Sequence, residues 1–260
     1  MNRRLHELAG PDAAAALGPH SVVVIPTGAI EHHGPHLPLA TDAITAEAVA
    51  VAAVERAAAA GVDAWVLPVL AYTKSDEHHW APGTMWLTWE TLMSTLVDLG
   101  RSLQGLGATR VMFLNGHGGN VAPLGIALRE LRRRYGLMTF ATHVAVPAGD
   151  GVAGADESGM PIHAGYGETS LLMYLRPDLV DMTKAAACVP AHLHDTPRIG
   201  FHSTPVSFGW LSNDFDDSGV IGDPAGSTAD AGAEIFETNV AGAAESLAQV
   251  ARFTYRKEGA

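Results

Sequence analysis

The chain has 260 residues, 47% of them hydrophobic and 17% charged, enough to bury a sizeable core and to exclude disorder as the main state. Its 16 Lys and Arg against 28 Asp and Glu leave a net charge of −12, which argues against nucleic acid and anionic membrane and towards a small-molecule substrate. Apolar runs break before the roughly eighteen residues of a membrane span, and the start lacks the basic-then-apolar order of a signal peptide. Cys188, the single cysteine, allows neither an internal disulfide nor a thiolate zinc site. The expectation is a soluble, cytoplasmic protein in which any metal is held by imidazole and carboxylate.

In chain order, residues 21–26 (SVVVIP) form a β-branched run of strand length and predict a strand buried on both faces. A Gly/Pro-rich loop follows, and then a helix over 42–60, rich in Ala, Val and Glu with no breaker before Gly61. Residues 65–69 repeat the strand signature. A polar loop through Ser75, Pro82 and Gly83 leads to a helix over 89–104, a strand at 110–114, a Gly-rich turn, a helix over 121–135 and a strand at 137–143. Strands alternating with helices imply a mostly parallel sheet covered on both sides. Residues 147–161 hold no large anchor besides Met160 and predict a mobile loop. A helix over 168–175 stops before Pro177, and residues 225–252 form a last helix with Ser227 and Thr228 as cap candidates. The chain reads as one domain, 1–260.

Thirteen histidines cluster beside Gly, Pro and carboxylates. Glu31, His33 and Asp42 lie in the loop leaving the first strand, where open α/β sheets place ligands. Glu31 and His33, two apart, point the same way if extended, and Pro35 and Pro38 stiffen the backbone. Asp42 either caps the following helix or uses its two oxygens to bridge two cations, cancelling their repulsion. The turn at 115–120, NGHGGN, brackets His117 with glycines that let the backbone approach a ligand. It could instead cradle phosphate, but no Lys or Arg lies within it. In the 162–170 stretch, His163 and Glu168 offer a separate proton carrier and a ligand. Glu77 and His78, in a polar aromatic loop, together with Asn115 and Asn120, are substrate-binding or supporting candidates. His192, His194 and His202 are expected at the surface or at subunit contacts. Asn213 with Asp214, and Gly222 with Asp223 and Pro224, read as turn chemistry.

Four stretches, GAIEHHGPHLPLATD at 28–42, WAPGT at 80–84, NGHGGN at 115–120 and HAGYGETS at 163–170, occur in this order. Together they resemble the creatininase (creatinine amidohydrolase) family over roughly residues 20 to 245. The resemblance implies a three-layer α/β/α sandwich, a homo-oligomer, often a hexamer, and two divalent ions per chain, zinc, manganese or iron. Carried over, Glu31 and His117 hold one ion, His33 and Glu168 the other, Asp42 bridges, and His163 is catalytic. The turn departs from creatinine hydrolases, which have a larger residue and a Glu where this chain has Gly118 and Gly119. The 147–161 loop, moreover, has no Trp, Tyr or Phe to close over a creatinine ring. The implied chemistry is attack by a metal-bound hydroxide on the C–N bond of a small cyclic amide or formamide. The alternatives are a family peptidase acting on a modified peptide in cofactor maturation, or a non-enzymatic metal-dependent binding protein.

Overall fold

A computed structural model describes residues 2–149, 157–201 and 204–256. Part of the expected mobile loop (150–156) and His202 lie outside the described residues. The elements that carry the fold are α1 (Gly10–Ala16), β1 (Val22–Thr27), α2 (Thr41–Ala59), β2 (Ala64–Val66), α3 (Trp89–Leu106), β3 (Arg110–Asn115), α4 (Val121–Tyr135), β4 (Met138–His143), α5 (Tyr166–Leu175) and α6 (Ala229–Arg252). The strands form one parallel sheet in the order β2-β1-β3-β4, with helices on both faces: the expected three-layer α/β/α sandwich.

Side-chain alternation along β1 and β3 builds the two cores. Val22, Val24, Met112 and Leu114 pack with Val49, Val54, Val240 and Leu247 of α2 and α6 on one face. Val23, Ile25, Val111 and Phe113 pack with Leu92, Leu96, Leu124 and Leu131 of α3 and α4 on the other. Both strands are therefore buried throughout, which is why their sequences are unbroken apolar runs.

The order also fixes the site. From β1 the chain runs through α2 to β2 on one side, then crosses to β3 on the other, so the strand order reverses between β1 and β3. A crevice opens at the carboxyl ends of that pair. Thr27 and Asn115 are register partners there, joined by a Thr27 Oγ1 to Asn115 Oδ1 hydrogen bond of 3.1 Å.

Most elements differ from expectation by a residue or two at their ends, and three of these differences have a local cause or bear on the site. β2 stops at Val66, two residues before Pro68, which has no N–H for a ladder. α5 starts at Tyr166, a turn-half earlier than its apolar spacing suggests. α6 starts at Ala229 because the Thr228 hydroxyl accepts from Ala231 N, whereas Ser227 Oγ is committed to Tyr166 O.

Candidate metal centre

Three turns meet at the crevice. The first leaves β1 and reaches α2. A Cβ on Gly28 would lie 2.5 Å from Ala43 Cα, so only glycine lets the start of α2 sit against the strand end. This brings Asp42, in the first turn of α2, beside Glu31 and His33; all three are buried. The second turn leaves β3 and carries His117. The third, before and into α5, carries His163 and Glu168; there Ala164 takes a left-handed conformation (φ 56°), which costs a non-glycine residue about 1–2 kcal/mol. Its N–H donates to Glu168 Oε2 at 2.7 Å.

The five carboxylate and imidazole groups expected as ligands converge. Glu31, Asp42 and His117 form one group whose donor atoms lie within 4.8 Å of one another, and His33, Asp42 and Glu168 form a second. Asp42 belongs to both: Oδ1 is 3.1 Å from His33 Nε2 and Oδ2 is 3.0 Å from His117 Nδ1. Asp42 Oδ2 is buried without a well-directed hydrogen bond. Among the described residues no Lys or Arg ion-pairs with Glu31, Asp42 or Glu168, so two buried carboxylates and a half-buried one have imidazoles as their only ionisable partners of opposite sign. An orphaned carboxylate oxygen inside a buried oxygen and nitrogen donor set fits divalent zinc or manganese.

The tautomers are set from outside the cluster, because a carbonyl can only accept. His33 Nδ1 donates to Glu31 O at 3.2 Å, which turns Nε2 inward to Asp42 Oδ1, 3.1 Å away. His117 Nε2 donates to Lys74 O at 2.7 Å, which turns Nδ1 inward to Asp42 Oδ2 at 3.0 Å and Glu31 Oε2 at 3.3 Å. His163 Nε2 donates to His32 O at 2.7 Å and leaves Nδ1 facing Glu31 Oε1 at 3.7 Å. Each of these second nitrogens faces the carboxylate cluster, the arrangement by which backbone acceptors orient metal-binding imidazoles. His163 Nδ1 also belongs to a third group with Glu31 and His33.

Electrostatics follow from burial and crowding. Burial opposes charge on His33 and His117, but the surrounding carboxylates outweigh it: His33 is raised to about 10 by Asp42, Glu31 and Glu168, and His117 well above its usual value by Glu31 and Asp42. Burial and the neighbouring Asp42 and Glu31 push Glu168 up to about 7. Asp42 is held low against its own burial by the two imidazoles. His163 goes the other way: burial, then the rings of His78 and His33, drop it well below its usual value.

The supporting candidates also lie here. Asn115 and Asn120 brace the His117 turn through hydrogen bonds to backbone and to each other. Asn115 Nδ2 donates to His117 O at 2.6 Å, and Asn120 Nδ2 donates to Gly28 O at 3.0 Å. Glu77 Oε1 is 3.4 Å from His117 Nε2, and a Cβ on Gly119 would fall 2.3 Å from that oxygen, so the bare turn makes room for this carboxylate. His78 stacks on His163 at 4.0 Å between centroids, with Nε2 3.6 Å from Glu31 Oε1. Two further side chains support the cluster: Ser75, within the 75–84 stretch already expected to supply support, and Ser212, which escapes sequence reasoning. Buried Ser75 donates to Glu31 Oε2. Buried Ser212 joins His78 Nδ1 (2.9 Å), Trp80 Nε1 (2.8 Å) and Glu77 O (3.3 Å); it sits beside Asn213 and Asp214, whose only local signal is that of a turn. His192 and His194 lie in a short 3-10 helix, Ala191–Asp195, with no residue buried.

The creatinine amidohydrolase (creatininase) family profile matches residues 6–247. The mycofactocin precursor peptide peptidase of Mycolicibacterium smegmatis is 36% identical over 230 residues, covering 87% of this chain and 84% of that protein. The creatinine amidohydrolase of Pseudomonas putida is 34% identical over 191 residues, covering 65% and 70%. A solved manganese creatininase superposes with a TM-score of 0.76 at 27% identity, covering 97% of this chain and all of the other, and a Zn–Zn type is also among the structural neighbours. A parallel sheet with this crevice, the ordered turns and a family match over nearly the whole length together show that the chain belongs to the creatininase family of hydrolases.

Proposed function

We propose that the chain is a divalent-metal-dependent hydrolase of an amide C–N bond, with Glu31, Asp42, His117, His33 and Glu168 as ligands and His163 as the proton carrier. The observation that carries this reading is the double membership of Asp42, one oxygen facing each of two donor groups. When bound, a pair of divalent ions supplies Lewis acidity and makes water acidic enough to attack at neutral pH. The chain's own residues do the rest. An amide nitrogen leaves poorly unless protonated, and His163 offers one unengaged nitrogen, Nδ1, with its ring fixed on His32 O. Depressed basicity keeps that nitrogen an acceptor at neutral pH, ready to take a proton and return it to the departing nitrogen. Asn115, Asn120 and Glu77 hold His117, while Ser212 holds His78.

A peptide amide is the substrate class we favour. The similarity to a precursor peptide peptidase runs over 87% of the chain, against 65% for the creatinine amidohydrolase, and this reverses the order in which the sequence alone ranks a cyclic amide and a peptide. A small cyclic amide or formamide is the second reading, supported by that shorter similarity. The test is metal analysis followed by a parallel screen of short peptides, cyclic amides and formamides. Two equivalents of metal and peptide turnover are expected, with both lost in Asp42→Ala. Two equivalents retained by that variant would refute the bridging role, and turnover of cyclic amides alone would refute the peptide.

A further inference from the structure

Glu157 is completely buried among backbone, in a stretch, 148–159, otherwise composed of Gly, Ala, Asp and Ser with a single Val. Its carboxylate accepts from three N–H groups on three separate segments. Oε2 accepts from Gly149 at 2.7 Å, beyond the end of β4; Oε1 accepts from Tyr166 at 3.1 Å and from Asp223 at 2.9 Å. Its own N–H donates to Gly149 O at 3.1 Å. Two glycines are shaped around it: a Cβ on Gly165 would fall 1.8 Å from Oε1, and one on Gly222 would fall 2.6 Å from the same atom.

Tyr166 is the first residue of α5, whose cap position, Gly165, has no side chain to satisfy the free amides of the first turn. The Glu157 carboxylate does so from a distance, with a charge sign that also suits the start of a helix. Glu168 lies two residues further on, and His163 three residues back forms an antiparallel bridge with Ile221, two residues before Asp223. One carboxylate thus ties both flanks of the 163–168 turn to the end of the sheet.

We propose that Glu157 is a positioning residue that holds the 163–168 turn, and with it His163 and Glu168, in register with the turns that follow β1 and β3. Its metal arm rests on the ligand assignment given above; its exchange arm does not. The experiment uses the full chain, stripped of metal, with Glu157→Gln as the variant. Glutamine keeps the shape but turns an amide donor towards at least one of the three N–H groups. Hydrogen exchange is expected to quicken by roughly tenfold in residues 163–168 with the sheet unchanged. Titration with Mn²⁺ should show one of two ions weakened by about tenfold to a hundredfold and the other retained, as loss of an outer support does. Unchanged exchange in 163–168, or equal weakening of both ions, would overturn the proposal. Should the variant not fold, the wild-type amides of Tyr166 and Asp223 decide: strong joint protection supports the clamp, and free exchange at either one refutes it. A wild-type chain that takes up no Mn²⁺ would sink the metal centre, leaving the exchange result to judge Glu157 alone.

Discussion

Uptake of two divalent ions at the proposed centre would have to displace protons, because the imidazoles there are raised and carry them at neutral pH. In the metal-free chain His33 titrates at about 10, so at pH 7 it is almost wholly imidazolium, stabilised by Asp42, Glu31 and Glu168 against the cost of its burial. His117 is also raised well above its usual value. Each must release the proton on its inward nitrogen before that nitrogen can ligate, because the other N–H is committed to a carbonyl. Glu168, at about 7, adds roughly half a proton at neutrality. Binding at pH 7 should therefore release at least about two protons, and Glu31, pushed up by its burial, adds to that number to the extent that it is protonated. For His33 alone the competition costs about 4 kcal/mol, the equivalent of three pH units. Calorimetric titration with Mn²⁺ in buffers of different ionisation enthalpy reads the number directly, and apparent affinity should climb steeply between pH 6 and 8. His33→Ala should lower the count by one. Release of less than one proton, or an affinity flat across that range, would refute the reasoning, because the imidazoles would then be neutral in spite of three adjacent carboxylates. The sign carries over to stability. A histidine raised from 6.5 to about 10 stabilises the metal-free fold fully below pH 6.5, and that contribution is lost as pH rises towards 10.

Replacing His163 with Ala should leave metal content intact and lower turnover by about 10²- to 10⁴-fold; equal loss of both, by metal analysis and assay, would make it a ligand instead. Gly119→Ala places a methyl 2.3 Å from Glu77 Oε1 and 2.5 Å from His117 Nε2, so metal affinity and turnover should fall with little change in the melting midpoint; a variant with normal affinity would show that Glu77 does not support His117. Thr228→Ala removes the α6 cap and should cost about 1 kcal/mol in denaturant unfolding without touching metal binding.

The strands that frame the crevice were legible because they are buried on both faces, which forces continuous β-branched and apolar runs such as 21–26 and 110–114. Glu31, His33 and His117 were legible because each follows such a strand within a turn of Gly and Pro. The partners that orient them were not. Glu31 O, Lys74 O and His32 O fix three imidazoles, yet every residue has a carbonyl, so nothing in the side-chain sequence marks these acceptors. Glu157 was missed for a related reason. Its environment is three amides at 149, 166 and 223, brought together only by the fold, and its neighbours in sequence read as loop. The residues in the 75–84 stretch fall between these cases: polarity flagged the loop, but only coordinates show that Ser75 and Glu77 touch the ligand set and that Ser212 supports His78.

The tie between His117 and the Lys74 carbonyl has a bearing on how this scaffold can be altered. The stretch beyond β2 is the natural place to alter when seeking a new substrate, since it borders the crevice from outside the sheet. Yet it is no exchangeable cassette, because the same backbone seats an imidazole of the centre, and Glu77 fills the hollow left by Gly119. Grafting that stretch from a cousin would have to bring along the turn after β3, and variation at these two places should travel as a pair.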